Sequence, residues 1–205
     1  MAVADRRTRE RAARRQLITS TARAIAEREG WDAITTRRLA AEIEYSQPVI
    51  YKHFASMDEV VDAVALEGFG ELAQVLARAR TAGDAKGSLG RVAHAYSTFA
   101  AENPTLYDAM FTRPTRLHFA AEDTPAEMSA GFSELRQAVA TVAAYQDVDT
   151  LTEIVWAGLH GLTTLGRGGR LRPGLDAERI QLLVSEFARG TARRPHSPAR
   201  QRVRG

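Results

Sequence analysis

Between Tyr45 and Phe54 the chain reads YSQPVIYKHF. Gln47, Tyr51, Lys52 and His53 supply an amide, a phenol, an ammonium and an imidazole, with Pro48 and Val49 set among them. On a helix turning about 100° per residue, Ile50 and Phe54 fall within about 40° of each other and form a buried side. The opposite arc is centred between Pro48 and Lys52, with Val49 beside them. Tyr51 and His53 flank that arc, and Gln47 sits in the first turn. A merely solvated face would carry charge where valine and proline stand. A small apolar side chain can meet a thymine methyl, and glutamine can pair with an adenine edge. Lysine, phenol and imidazole reach the phosphates that set register. The chemistry on offer is recognition of duplex DNA.

Bond-making chemistry finds no motif. The chain has no cysteine, which excludes disulfides, thiolate metal sites and cysteine nucleophiles. His53, His94, His118, His160 and His196 show no metal-ligand spacing with a second histidine or a carboxylate. His118 is followed by Glu122 and Asp123, a pattern typical of a solvated turn. No nucleophile elbow, phosphate loop or dinucleotide fingerprint occurs. A helical enzyme stays an alternative class without a motif behind it, and neither a metal nor a cofactor is expected.

The elements that must hold these residues are helices. Alanine, leucine, arginine and glutamate dominate, and no stretch alternates long enough for a strand. Leu17, Ile18, Thr21, Ala22 and Ile25 form a stripe on a first helix that Gly30 stops. Thr35 caps a second, short helix to about Ile43, and Ser46 caps a third ending near Phe54. Ser56 with Glu59 makes a capping box for a long fourth helix carrying Val60, Val61, Val64, Phe69, Leu72 and Leu76. A helix over about Leu89–Glu102 ends at Asn103-Pro104, which starts another. Thr124-Pro125-Ala126-Glu127 opens a helix to about Tyr145. Leu151, Ile154, Val155, Leu159 and Leu162 stripe the next, and Ile180, Leu183, Val184 and Phe187 the last. The fold class is all-α, with about nine helices.

Charge is uneven along this chain. Residues 1–53 hold 11 Lys+Arg against 7 Asp+Glu, residues 54–188 hold 11 against 18, and residues 189–205 hold 6 arginines and no acid. Basic ends around an acidic middle suit polyanion contact. The arm Arg6–Arg15 is either an extension touching phosphates or the minor groove, or a frayed first turn. The tail after Gly190 reads as disordered. No apolar run approaches the roughly 18 residues of a membrane span, and no signal core precedes the arginines, so a cytoplasmic protein is expected. The division is a DNA-binding domain over 1–56, a larger helical domain over 57–190 and a basic tail over 191–205.

Two short helices over Thr35–Phe54 joined by a tight turn make a helix-turn-helix. The run GWDAITTRRLAAEIEYSQPVIYKHFASMDEVVDAV resembles the DNA-binding domain of the tetracycline-repressor (TetR) family of regulators. The resemblance rests on Gly30, Thr35, Leu39-Ala40, Ser46, Ile50-Tyr51, His53-Phe54 and the long helix behind them. It implies a homodimer that binds a palindromic double-stranded operator and lets go when a small-molecule effector binds the larger domain. Thr36 and Arg37 would hold phosphate, Gln47, Pro48 and Val49 would face bases, and Tyr51, Lys52 and His53 would face the backbone and nearby bases. A DNA-binding protein without ligand control, of activator or nucleoid type, is the alternative. The chain departs from the family at Glu44-Tyr45, where the turn usually has glycine. A left-handed backbone there would cost a non-glycine residue roughly 1 kcal/mol. It departs again at Met57, where the family often has a phosphate-binding lysine.

In the larger domain, YSTFAAENPTLYDAMF and WAGLHGLTTL resemble the C-terminal domain of the family subset named for its Trp-His-Gly signature. The resemblance makes Tyr96, Phe99, Tyr107, Met110, Phe111, Trp156 and His160 the candidate effector contacts, in a mostly apolar pocket. The same aromatic spacing also suits a plain core. Gly158 and Gly161 beside Ala157, with the Ile180–Phe187 stripe, form the expected dimer surface.

Overall fold

The computed structural model describes residues 2–192 apart from 120 and 122, with the side chains of 2–4 and 190–192 set aside. Among the described residues there are nine α-helices and no strand. They are α1 (Ala2–Glu29), α2 (Thr36–Glu42), α3 (Gln47–Tyr51), α4 (Met57–Thr81), α5 (Ser88–Glu102), α6 (Pro104–Phe111), α7 (Ala126–Ala140), α8 (Val148–Arg167) and α9 (Asp176–Ala192). Short 3-10 turns stand at Trp31–Ala33 and Ala85–Gly87. The described part of the chain ends with α9, so most of the expected basic tail lies outside it.

The helices divide into two compact units. The first draws its described residues from Met1–Leu76 and Thr98–Ser133, the second from Ala77–Ser97 and Glu134–Gly205. In the first unit Ile18, Ala22 and Ile25 of α1, Leu39 of α2, Ile50 and Phe54 around α3, and Val60 and Val64 of α4 are all buried. Leu17 departs from its expected stripe and lies 41% exposed. Gly30 does stop α1, with φ 84°. Polar bonds tie α1 to α4: the Thr19 hydroxyl donates to Glu67 over 2.8 Å and Arg23 Nη1 to Glu71 over 2.5 Å. The buried Trp31 indole donates to the Thr105 carbonyl of α6 at 2.9 Å.

The capping box of α4 forms with a shift. The Glu59 amide donates to Ser56 Oγ at 3.2 Å, but the Glu59 carboxylate takes the Ala55 amide, one residue before the cap. Further along α4, Gly68 marks a close approach to α6: a β-carbon there would stand 2.7 Å from Met110 Sδ and 2.9 Å from Leu106 Cγ. Phe69 meets the edges of Phe111 and Phe119 at centroid distances of 5.2 and 5.6 Å, and Tyr107 lies 4.7 Å from Phe111.

In the second unit Arg91 closes the end of α4 by donating to the carbonyls of Ala79, Arg80 and Asp84 at 2.9, 3.2 and 2.7 Å. The first two are carbonyls that a helix leaves without partners at its C-terminus. Arg80 pairs with Glu134 at 2.6 Å. Asp147 caps α8 by accepting from the Thr150 amide at 2.8 Å, and that bond holds its carboxyl below the usual range. Leu183 of α9 packs at Gly158 of α8, where a β-carbon would lie 3.1 Å from Leu183 Cδ1. The expected apolar stripe of α8 is only partly covered. Leu151, Val155 and Leu159 are buried, whereas Ile154 is 50% exposed.

Candidate nucleic-acid interface

The helix-turn-helix is built from two short helices with matched ends. Thr35 caps α2 by accepting from the Arg38 amide at 3.1 Å. At the other end the Tyr45 amide donates to the Ala40 carbonyl at 2.9 Å and the Glu44 amide to Ala41 at 3.4 Å. That pair of bonds is a Schellman closure, which requires a left-handed residue after the cap. Glu44 takes the position, with φ 57°. The turn thus keeps the conformation glycine would favour although the side chain is glutamate. Ser46 stands at the N-cap of α3 but its hydroxyl makes no capping bond, and Pro48 sits in the first helical turn.

With Ile50 and Phe54 buried, the outward arc of α3 follows. Arg37, Gln47, Pro48, Tyr51 and Lys52 are exposed, and Thr36, Val49 and His53 are half-buried. The Tyr51 hydroxyl lies 3.2 Å from Thr36 Oγ1, so the two helices are joined on the side that carries the candidate contacts. His53 Nδ1 is buried without a hydrogen-bond partner. Burial first, then the charges of Arg11, Arg14, Arg15 and Lys52, hold its imidazole below the ordinary value. The eight residues expected from sequence therefore lie on two adjacent short helices and the residues that follow α3.

One contributor was not expected. Arg15 of α1 stacks 4.0 Å over the Phe54 ring, donates to the His53 carbonyl and lies 3.9 Å from Glu59. It packs on and bonds to the residues that follow α3. The signal for it in the sequence was its position one turn before Ile18, where a helix leaves its core.

The seven candidate effector contacts divide between the units. Phe99, Tyr107 and Met110 are buried and Phe111 half-buried in the first unit. Tyr96 is buried in the second, where Trp156 and His160 are half-buried on α8. His160 Nε2 is 3.4 Å from Thr164 Oγ1, and burial holds its imidazole below the ordinary value. A groove of about 350 Å³ in the first unit is lined by Glu29, Gly30, Trp31, Asp32, Thr105, Asp108, Thr112 and Arg113, and by none of the seven. Among the described residues no helix is long and apolar enough to cross a membrane, and no acidic or histidine cluster could hold a metal ion.

Comparison with known proteins agrees with this architecture. Residues 18–64 match the family model for bacterial regulatory proteins of the tetR family. Residues 89–187 match that for the tetracyclin repressor-like C-terminal domain. The HTH-type transcriptional regulator Rv0681 of Mycobacterium tuberculosis is 25% identical over 186 residues, spanning 88% of this chain and 82% of that one. A solved protein from Rhodococcus sp. RHA1 superposes with a TM-score of 0.71 at 25% identity, covering 87% of this chain and 95% of the other. BioQ, solved with its double-stranded DNA operator, shares the fold with a TM-score of 0.59 at 21% identity, covering 83% and 95%. With a family model matching each end of the chain and the helix-turn-helix in place between α2 and α3, this protein belongs to the TetR family of DNA-binding transcriptional regulators.

Proposed function

We propose that this regulator is a cytoplasmic repressor that binds a palindromic operator as a homodimer and is released by a small molecule. The observation that carries the DNA assignment is the outward arc of α3, with Gln47, Pro48, Tyr51 and Lys52 exposed around an anchor of Ile50 and Phe54. Gln47, Pro48 and Val49 face bases; Thr36 and Arg37 hold phosphate, and Tyr51, Lys52 and His53 face the backbone and nearby bases. One such helix reads a half-site, so two protomers set one DNA turn apart read a palindrome. Supporting the dimer, Ile154 and Leu165 on α8 and Leu182 on α9 are 50, 41 and 61% exposed.

Residues 1–56 carry the DNA-binding function and 57–190 the effector and dimer functions, with the basic tail outside both. The larger domain belongs with the Trp-His-Gly subset, and its candidate effector contacts are Phe99, Tyr107, Met110 and Phe111 in the first unit and Tyr96, Trp156 and His160 in the second. Release requires that the effector bind the DNA-incompetent arrangement more tightly than the competent one. The test is a gel shift of palindromic DNA from beside the coding sequence, with competitor present. Tyr51→Ala and Lys52→Ala weaken binding, and the lysine variant lowers the salt slope by about one unit for each phosphate it no longer neutralises. Operator binding equal to the parent in both variants would overturn the assignment of α3.

A further inference from the structure

Helix α1 begins at Ala2, yet its first buried residue is Ile18, and residues 5–14 are all exposed. At 1.5 Å per residue, the stretch from Asp5 to Leu17 projects by about 20 Å. A segment of that length is a marginal helix alone. Here it grows from a turn already nucleated by the packed part of α1, and alanine and arginine extend it at low cost.

The register of this arm is informative. At about 100° per residue, Arg7, Arg11 and Arg14 fall within about 40° of Ile18, and Arg15 within about 60°. The side that is apolar at Ile18, Ala22 and Ile25 is thus continued by arginine where the core ends. Arg6 pairs with Glu10 at 3.5 Å and Arg15 with Glu59 at 3.9 Å. Among the described residues no carboxylate pairs with Arg7, Arg11 or Arg14. Arg15, stacked on Phe54 and bonded to the His53 carbonyl, fixes the base of the arm against the end of α3. The charges of Arg11, Arg14 and Lys52 all act on His53, so the stripe and the basic end of α3 form one cationic surface.

We infer that the helical arm over Arg6–Arg14 is a second DNA-binding element, which lays Arg7, Arg11 and Arg14 along the phosphates flanking the half-site read by α3. This rests on the placement of α3 on DNA proposed above. Geometry selects the mode of contact. A helix about 10–12 Å across does not enter a minor groove about 6 Å wide. The arm therefore neutralises phosphates and reads no bases, adding affinity, salt sensitivity and footprint length without changing sequence preference.

The test uses full-length protein carrying Arg7→Ala, Arg11→Ala and Arg14→Ala together. Arg15 is left intact because it packs on Phe54, and alanine keeps the arm helical. The probes are a palindrome selected from random DNA by the parent, with flanks of about one helical turn or trimmed to the palindrome, and a random duplex. Six phosphates per dimer at about 0.9 unit each set an upper limit of about 5 units on the fall in the logarithmic salt slope. We expect a fall of about 3–5 units with the flanked duplex, and an unchanged penalty for each base substitution within the palindrome. Trimming weakens the parent and leaves the triple variant unaffected. Arg→Lys at the same positions restores most of the slope. An unchanged slope with intact operator binding overturns the arm and leaves the α3 assignment standing. A parent that selects no palindrome overturns the α3 assignment itself. Loss of binding to phosphatidylserine vesicles without loss on DNA would assign the stripe to a membrane surface and overturn the inference.

Discussion

Glu44 is where backbone conformation and residue type conflict, and replacing it by glycine should stabilise the protein. Its φ of 57° lies in the left-handed region, imposed by the Schellman bonds that end α2. A non-glycine residue there loses roughly 1–2 kcal/mol. Glycine removes that strain but loses about 0.5–1 kcal/mol more conformational entropy on folding. The expected net gain is about 0.5–1 kcal/mol, or about 1–4 °C in unfolding midpoint for a chain of this size. Glu44 is exposed, so its side chain contributes little packing. Glu44→Ala is the control: it removes the same carboxylate but keeps the strain, and its stability stays within about 0.5 kcal/mol of the parent. The measurement is urea unfolding followed by circular dichroism for all three proteins. Equal gains in the glycine and alanine variants would trace the effect to charge. No gain in the glycine variant would refute the strain argument outright.

Five further outcomes rest on the same structure. Gly68→Ala should destabilise by about 1–2 kcal/mol, because overpacking against Met110 and Leu106 outweighs the helix-propensity gain. Gly70→Ala, whose β-carbon would sit 3.8 Å from Glu127 Cγ, should instead stabilise by about 0.5–1 kcal/mol in the same unfolding assay. His53 and His160 both have folded pKa values below the ordinary one, so below about pH 6.5 the unfolded chain takes up protons that the folded chain resists. Stability should be free of this penalty well above that pH and fall as pH drops through and below about 6.5, and His53→Gln with His160→Gln should shrink the fall in urea midpoint. Asp147 contributes in the opposite range, its stabilisation being lost only as pH falls below about 4. Finally, Ile154→Glu with Leu182→Glu should yield a monomer by light scattering and weaken operator binding; a dimer persisting at micromolar concentration would place the interface elsewhere.

The parts of this fold legible in the sequence are those written in local chemistry. Gly30 stops α1 with a positive φ, Thr35 caps α2, and Pro104 opens α6 after Asn103. The burial of Ile50 and Phe54 was legible from helical rotation, although α3 ends at Tyr51 rather than near Phe54, so that Lys52 and His53 follow the helix. Features decided by competition were less visible. Leu17 fits an apolar period but stands about 100° round the helix from the buried Ile18 and is 41% exposed. Hydrophobic period could not show that α1 extends to Ala2, because the arm has no apolar face; propagation from a packed helix decided that. The helix expected to reach Tyr145 stops at Ala140, and Tyr145 is 61% exposed. The glycine normally looked for in the inter-helix turn was absent, yet two backbone bonds hold Glu44 in its conformation. Aromatic spacing gave Tyr107, Met110 and Phe111, but the same spacing serves a core and a pocket alike, and Tyr107 and Met110 are 1% exposed.

The bond from the Trp31 indole to the Thr105 carbonyl gives the molecule a built-in optical probe. The chain has two tryptophans, and Trp31 and Trp156 fall in different units. Trp31 is buried, tied to α6 and lies 5.8 Å from the Arg113 guanidinium, so its emission is set by how α6 sits beside the end of α1. Replacing Trp156 by phenylalanine leaves a single emitter at that junction, and replacing Trp31 leaves a single emitter on α8. The two proteins then report separately on the helix-turn-helix side and the α8 side of one regulator, without any attached dye. A compound that moves only the second signal acts locally; one that moves both has sent its message to the DNA-binding end.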